Sequence, residues 1–191
     1  MSILTGERLA LNFMQRMSGI ATLSREYVDA VAGTGVKILD TRKTTPNLRY
    51  FEKWAVKIGG AENHRFGLYD MIMLKDNHND FAGGIPQAIA KTKQYLLDNN
   101  KDLKIIVEAR NLDEVQQILD TGGVFRILLD NFDYETTKKA VAMIGNQSLT
   151  ESSGNINEKT IRHYAECGVN YISSGALTHS VYNMDLSLKA I

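Results

Sequence analysis

Seven polar clusters stand out in this sequence, six of them closing apolar runs, and their residue types are those that grip anions and charged intermediates. The first, Asp40-Thr41-Arg42-Lys43-Thr44-Thr45-Pro46, sets two adjacent cations and three hydroxyl side chains directly after such a run. Arginine can hold a carboxylate or a phosphate through two parallel N–H bonds, while lysine supplies a compact point charge. An isolated Arg-Lys pair is more often a solvated turn, so its meaning depends on the other clusters. The second, GGAENHRFG at residues 59–67, carries His64 and Arg65 in a glycine-rich connection, where backbone can approach a ligand closely. Histidine donates one hydrogen bond when neutral and two when protonated, so the His-Arg pair suits carboxylate recognition. The third, Lys75-Asp76-Asn77-His78, follows Met71-Ile72-Met73-Leu74, so a buried run delivers a lysine to its end. Asp76 and His78 have the chemistry of metal ligands, but no cysteine or second histidine stands at a convincing zinc spacing.

Glu108 and Asp130 lie near the ends of two further runs. Carboxylates there can bind magnesium, hydrogen-bond ribose hydroxyls or stabilise positive charge, and they can equally form ordinary ion pairs with neighbouring cations. Ser152-Ser153-Gly154-Asn155 and Ser173-Ser174-Gly175-Ala176 occupy equivalent places after the last two runs. Small residues expose backbone N–H groups that form anion-binding concavities, and the last strands of phosphate-binding barrels often supply such a site.

The elements that must position these clusters follow from periodicity. Residues 36–41, 71–75, 104–109, 125–130, 148–152 and 170–174 are predicted strands, separated by stretches whose apolar residues recur at helical spacing. Ahead of them, Leu9, Phe13, Met17, Ile20, Tyr27, Val28 and Val31 trace one long amphipathic helix, or two joined near Ser18-Gly19, ended by Gly33 and Gly35. Alternating strands and helices imply a parallel sheet. An open sheet binds ligand at one switch point, whereas a barrel gathers every C-terminal strand end at one mouth. Six chemically equipped strand ends favour the barrel. Since six strands fall short of eight, the predicted fold class is α/β: an incomplete or irregular TIM-like (β/α) barrel with a long N-terminal helix. Residues 1–35 form the helical segment leading in, and residues 36–191 form the barrel domain.

Composition bounds the function classes. The 191 residues hold 22 basic and 22 acidic side chains and 43% hydrophobic residues, enough for one core and with no global pull toward nucleic acid or an anionic membrane. No apolar run approaches the roughly 20 residues of a membrane span. Cys167 is the only cysteine, and mixed polar sequence follows Met1 in place of an apolar leader, so the expectation is a cytoplasmic protein in a reducing compartment.

Taken together, eight ordered motifs resemble the quinolinate phosphoribosyltransferase family over nearly the whole chain. They are GERLALNF at residues 6–13, SGIAT at 18–22, DTRKTTP at 40–46, GGAENHRFGL at 59–68, KDNH at 75–78, LLDNF at 128–132, ESSGNI at 151–156 and SGALTHS at 174–180. The resemblance implies transfer of phosphoribosyl from phosphoribosyl pyrophosphate (PRPP) to quinolinate with decarboxylation, giving nicotinate mononucleotide, carbon dioxide and pyrophosphate in NAD biosynthesis. It implies that Arg42, His64, Arg65 and Lys75 hold the two carboxylates of quinolinate, with Thr41 and Lys43 nearby. It assigns Glu108 and Asp130 to the ribose and to Mg2+, directly or through water, and Ser153, Gly154, Asn155, Ser174, Gly175 and Ala176 to the 5′-phosphate. The catalytic set it implies is Lys43, Lys75, Glu108 and Asp130.

The resemblance further implies that Arg8 enters the site of a neighbouring subunit, making a homodimer or higher homo-oligomer with composite sites. Family members carry a separate N-terminal α/β domain before the GER helix, and only five residues precede that motif here. The expectation is therefore a natural truncation, an engineered one or one half of a split gene, with full activity in question. Two rivals remain at this stage. One is a related transferase for another aromatic acid, against which the Arg42, His64, Arg65 and Lys75 set argues. The other is a non-catalytic or weakly active barrel that binds ligand or a full-length partner.

Overall fold

The computed structural model describes residues 2–189, so the outermost positions of the two expected segments, residues 1, 190 and 191, lie outside it. The chain opens with α1 (Ser2–Ala30), then β1 (Lys37–Leu39) and α2 (Arg49–Ile58). Next come β2 (Ile72–Leu74), α3 (Asp76–Ala82), α4 (Ile85–Asp98), β3 (Ile105–Ala109), α5 (Leu112–Thr121) and β4 (Arg126–Asp130). The chain continues through α6 (Tyr134–Ile144), β5 (Leu149–Ser153), α7 (Ile161–Ala165), β6 (Tyr171–Ser173) and α8 (Ala176–His179). All six expected strands form, within a residue or two of their predicted limits.

Of the two readings for the first segment, one continuous helix is found. Gly19 costs an exposed helix about 1 kcal/mol relative to alanine. Here it is buried, because a side chain would overlap the Tyr182 carbonyl where the C-terminal segment crosses α1. Ile20, Ser24 and Tyr27 form a buried stripe on α1 that Val31, just past its end, continues, at spacings of four, three and four residues. The expected stripe is only partly right at its N-terminal end. Leu9 is exposed, while Phe13 meets the Phe51 ring at 4.8 Å and Met17 lies against the core.

The six strands form one all-parallel sheet in the order β1-β6-β5-β4-β3-β2. From β2 to β6 sequential strands are neighbours, whereas β1 pairs with β6, so β1 and β2 are the two ends of the ladder. Beside β1 the returning chain adds a single bridge, Leu39 to Glu62, with Glu62 N–H donating to Ile38 O at 2.8 Å.

Alternation along the strands separates two unlike faces. One face, including Val107, Ala109, Ile127, Leu129 and Ile172, is fully buried against the helices, where it meets Ile89, Val115, Ile118, Ile144 and Ile161. Burying each such aliphatic side chain contributes roughly 1.5–3 kcal/mol. The other face carries charge. Arg126 Nη1 donates to Glu151 Oε2 at 2.6 Å, and its guanidinium lies 4.0 Å from the Tyr171 ring centroid. Burial pushes the Glu151 carboxyl up, but His64 and Arg126 outweigh it and hold the group below the usual carboxylate range. Among the described residues, no helix is long and apolar enough to cross a membrane.

Two stability predictions follow from this packing. Arg126→Met leaves the buried Glu151 charge without its partner and should cost about 3–5 kcal/mol in urea unfolding. Arg126→Met combined with Glu151→Gln should recover part of that loss. Gly59→Ala would drive a methyl into the Ala21 carbonyl oxygen and Ser24 Cβ on α1, and should lower stability by about 1–3 kcal/mol. A melting temperature unchanged by Gly59→Ala would mean that α1 and α2 are free to slide.

Candidate active site

The C-terminal ends of the strands open into a cavity of about 740 Å³. Thr41, Arg42, Lys43, His64, Arg65, Lys75, Glu108 and Asp130 line it, together with Ser153, Gly154, Asn155, Ser174, Gly175 and Ala176. These are the residues nominated from sequence, with one exception. Arg8, on the first turns of α1, is not part of this lining.

The cations come from two loops that flank β1. Asp40, directly after β1, is a buried hub. It accepts from Lys53 Nζ of α2, from the His64 backbone N–H at 2.8 Å and from Asn63 Nδ2 at 2.7 Å. Lys53 also donates to His64 O at 3.1 Å, so the 63–65 segment is clamped from both sides. His64 Nδ1 accepts the Arg65 N–H at 2.7 Å, which leaves the proton on Nε2, 3.3 Å from Glu151 Oε2. Arg65 is buried and its guanidinium donates to Met71 O at 3.1 Å. Burial first, and then the neighbouring Arg42 charge, push the Arg65 guanidinium below its ordinary value. Two arginines that oppose each other at one cavity wall favour an anion between them.

The first loop is held by α2 and α8. Glu52, fully buried, accepts from Thr45 N at 3.0 Å, from Thr45 Oγ1 at 2.8 Å and from Arg16 of α1. Thr178 Oγ1 donates to Lys43 O at 2.9 Å. Lys43 thereby lies against Gly175, where a Cβ would come within 3.0 Å of Lys43 Cδ and 2.8 Å of the His179 ring. Gly175 has an ordinary negative φ of −70°, so glycine is needed there for room.

Across the cavity, Lys75 Nζ stands 3.9 Å from Glu108 Oε2. Burial pushes the Glu108 carboxyl up, Lys75 opposes this, and Asp130 adds to it. His78 Nδ1 accepts the Lys75 N–H at 3.0 Å and caps α3. Among the described residues no group of three or more His, Cys, Asp or Glu side chains could enclose a metal. Glu108 and Asp130 offer two carboxylates only. That fits Mg2+, which keeps several waters and shares a substrate's phosphates, better than a fully enclosed ion.

The small-residue loops are built by left-handed backbone. Asn131 (φ 55°), Gly154 (φ 98°) and Asn155 (φ 52°) interlock, with Asn155 Nδ2 donating to Asn131 Oδ1 at 3.0 Å and Asn131 N–H to Ser153 O at 2.9 Å. Any side chain at 154 would overlap Asn131 Oδ1. Ser174 is fastened to Ile156 O through its hydroxyl at 3.2 Å.

Sequence reasoning missed several lining residues, among them Met73, Leu128, Asn131, Glu151, Asn157 and His179. The available signal for Glu151 was a charged residue within a short buried strand, which demands a partner and a purpose. For Asn131 and His179 the motifs contained the residue without indicating where it points.

The geometry can be set beside known proteins. Residues 20–189 match the family described as quinolinate phosphoribosyl transferase, C-terminal domain. Quinolinate phosphoribosyltransferase [decarboxylating] 2b, mitochondrial, of Nicotiana tabacum is 47% identical over 98% of this chain and 57% of its own length. The probable nicotinate-nucleotide pyrophosphorylase [carboxylating] of Bacillus subtilis is 42% identical over 98% of this chain and 63% of its own. The crystal structure of NadC from Streptococcus pyogenes superposes with a TM-score of 0.92 at 44% identity, over 99% of this chain and 65% of that one. The chain thus spans about three-fifths of the relatives it matches. Its sequence and its three-dimensional arrangement agree: the chain belongs to the quinolinate phosphoribosyl transferase family, matching its C-terminal domain.

Proposed function

We propose that this cavity binds quinolinate and PRPP and that the chain transfers the phosphoribosyl group to the quinolinate nitrogen with loss of the 2-carboxylate. The observation that carries this is that Arg42 and Arg65, whose charges repel, line one cavity together with His64 and Lys75. A dianion with two adjacent carboxylates relieves that repulsion more fully than a single carboxylate. The ring nitrogen attacks C1 of the ribose as pyrophosphate departs, and the carbon left by departing carbon dioxide takes up a proton.

In this reading no side chain acts as a nucleophile. Arg42, Arg65 and Lys75 orient the acid, and Lys43 faces the departing phosphates from beside Gly175. Glu108 and Asp130 lie where positive charge develops on the ribosyl carbon and hold the ribose hydroxyls. Mg2+ held by these two carboxylates, directly or through water, would neutralise pyrophosphate as it leaves. The Ser153-Gly154-Asn155 and Ser174-Gly175-Ala176 loops receive the 5′-phosphate.

We further infer an incomplete (β/α) barrel, supported by the cyclic strand order and by a mouth common to all six strand ends. Arg8, away from its own cavity, is placed in this reading to serve a neighbouring subunit's site in a homodimer or higher homo-oligomer with composite sites. A cytoplasmic location is the reading consistent with a lone, buried Cys167.

The direct test is carbon dioxide release from carboxyl-labelled quinolinate with PRPP and Mg2+. Release should require both substrates, and neither release nor calorimetric binding of quinolinate would remove the proposal. Arg65→Ala should weaken quinolinate binding by about 2–5 kcal/mol, the range for truncating one partner of a buried charge pair. PRPP binding should change much less, so an equal loss for both ligands would show that Arg65 does not select the acid.

A further inference from the structure

Arg42 lies on the loop that follows β1 and Arg65 on the segment that returns beside that strand, and their charges repel each other. Something must hold them at a fixed separation before any ligand arrives. The face of α2 formed by Arg49, Glu52 and Lys53, at positions i, i+3 and i+4, supplies the anchors. Glu52 holds Thr45 in the first loop, and Lys53 holds Asp40 and His64 O.

Arg49 also reaches both loops, and its guanidinium does so at or next to the two arginines themselves. Nε donates to Thr44 Oγ1 at 3.1 Å and Nη2 to Arg42 O at 3.4 Å, while Nη1 donates to Phe66 O at 3.1 Å. The acceptors are the carbonyl of Arg42 itself and the carbonyl of the residue that follows Arg65. The guanidinium fork is planar and rigid, so the separation of its acceptors is set by covalent geometry.

We propose that Arg49 is a specificity-determining positioning residue that sets the spacing of the two arginine loops, so that the cavity prefers two adjacent carboxylates to one. This rests on the quinolinate reading above. A monocarboxylate needs one cation and is indifferent to the spacing. A 1,2-dicarboxylate needs both cations at once, and prior fixation of the loops removes the ordering cost from its binding. Lysine cannot reproduce the effect, since one ammonium on a flexible stem does not span both carbonyls.

The test uses phthalate and benzoate as unreactive dicarboxylate and monocarboxylate probes, with calorimetry on the wild-type chain, Arg49→Met, Arg49→Lys and Lys57→Gln. Lys57, exposed near the end of α2, controls for general effects of altering helix charge. The wild type and Lys57→Gln should prefer phthalate. Arg49→Met should lower the phthalate-to-benzoate affinity ratio about tenfold, as expected for lost hydrogen bonds to a charged group, and Arg49→Lys should fall between. Equal weakening of both probes in the Arg49 variants, with the wild-type preference intact, would overturn the proposal while leaving the quinolinate reading standing. A wild type with no phthalate preference would remove the quinolinate reading and the proposal together. Circular dichroism on each variant closes the remaining route: if neither Arg49 variant folds, Arg49 is a stability residue and the proposal fails.

Discussion

The buried pair of Asp40 and Lys53 is the interaction on which the rest of this site depends. It stands at the end of β1, where the parallel ladder has its free edge and the 59–67 connection has only one bridge of sheet to support it. Backbone groups in such a segment must find partners or lose the hydrogen bonds that water would have supplied. Asp40 provides them through the His64 N–H and Asn63, and Lys53 through His64 O. Burial alone pushes the Asp40 carboxyl up and the Lys53 ammonium down, and the attraction between them opposes both shifts. Such a pair adds little net stability against a hydrophobic alternative. What it contributes is one defined path for the segment that carries Arg65.

The same trade recurs on the cavity side of the sheet. Against the helices, strand residues pack as a continuous aliphatic layer, and that layer holds the domain together. Toward the cavity the alternate positions hold Glu108, Arg126 and Glu151, all buried. Each of these groups costs desolvation that its partners only partly offset. The arrangement supplies fixed charges within the sheet on its cavity side, and fixed charges of this kind can stabilise a developing charge without the reorganisation that mobile water needs. The cavity's polar floor and the domain's apolar core are thus two faces of the same strands, assigned by the two-residue alternation.

Helix α2 joins these parts. Its apolar side packs Phe51 on Phe13 of α1, and its charged side reaches into both loops through Arg49, Glu52 and Lys53. A ten-residue helix with so divided a surface links the position of α1 directly to the segments that carry Arg42 and Arg65. Arg16 strengthens that connection, since it bonds Glu52 and also the Thr178 and Val181 carbonyls beyond β6.

Much of this was legible in residue order alone. Strand positions, helix positions and the clusters at the strand ends all follow from local periodicity and residue type, which act over a few neighbours and need no knowledge of the fold. The long α1 was legible too, though not that Gly19 would be spent on the passage of residue 182 instead of on a break. The buried partnerships of Asp40 with Lys53 and of Arg126 with Glu151 join positions 13 and 25 residues apart. Those of Arg16 with Glu52 and the 178–181 carbonyls span up to 165 residues. No spacing rule reaches across such separations. Sequence by itself determined which residues stand at strand ends and what chemistry they can do. Only the tertiary structure decided that His64 would lean on Glu151, that Lys43 would lie against Gly175, and that one arginine would bridge both loops. Those outcomes depend on how strands already formed are wound beside one another.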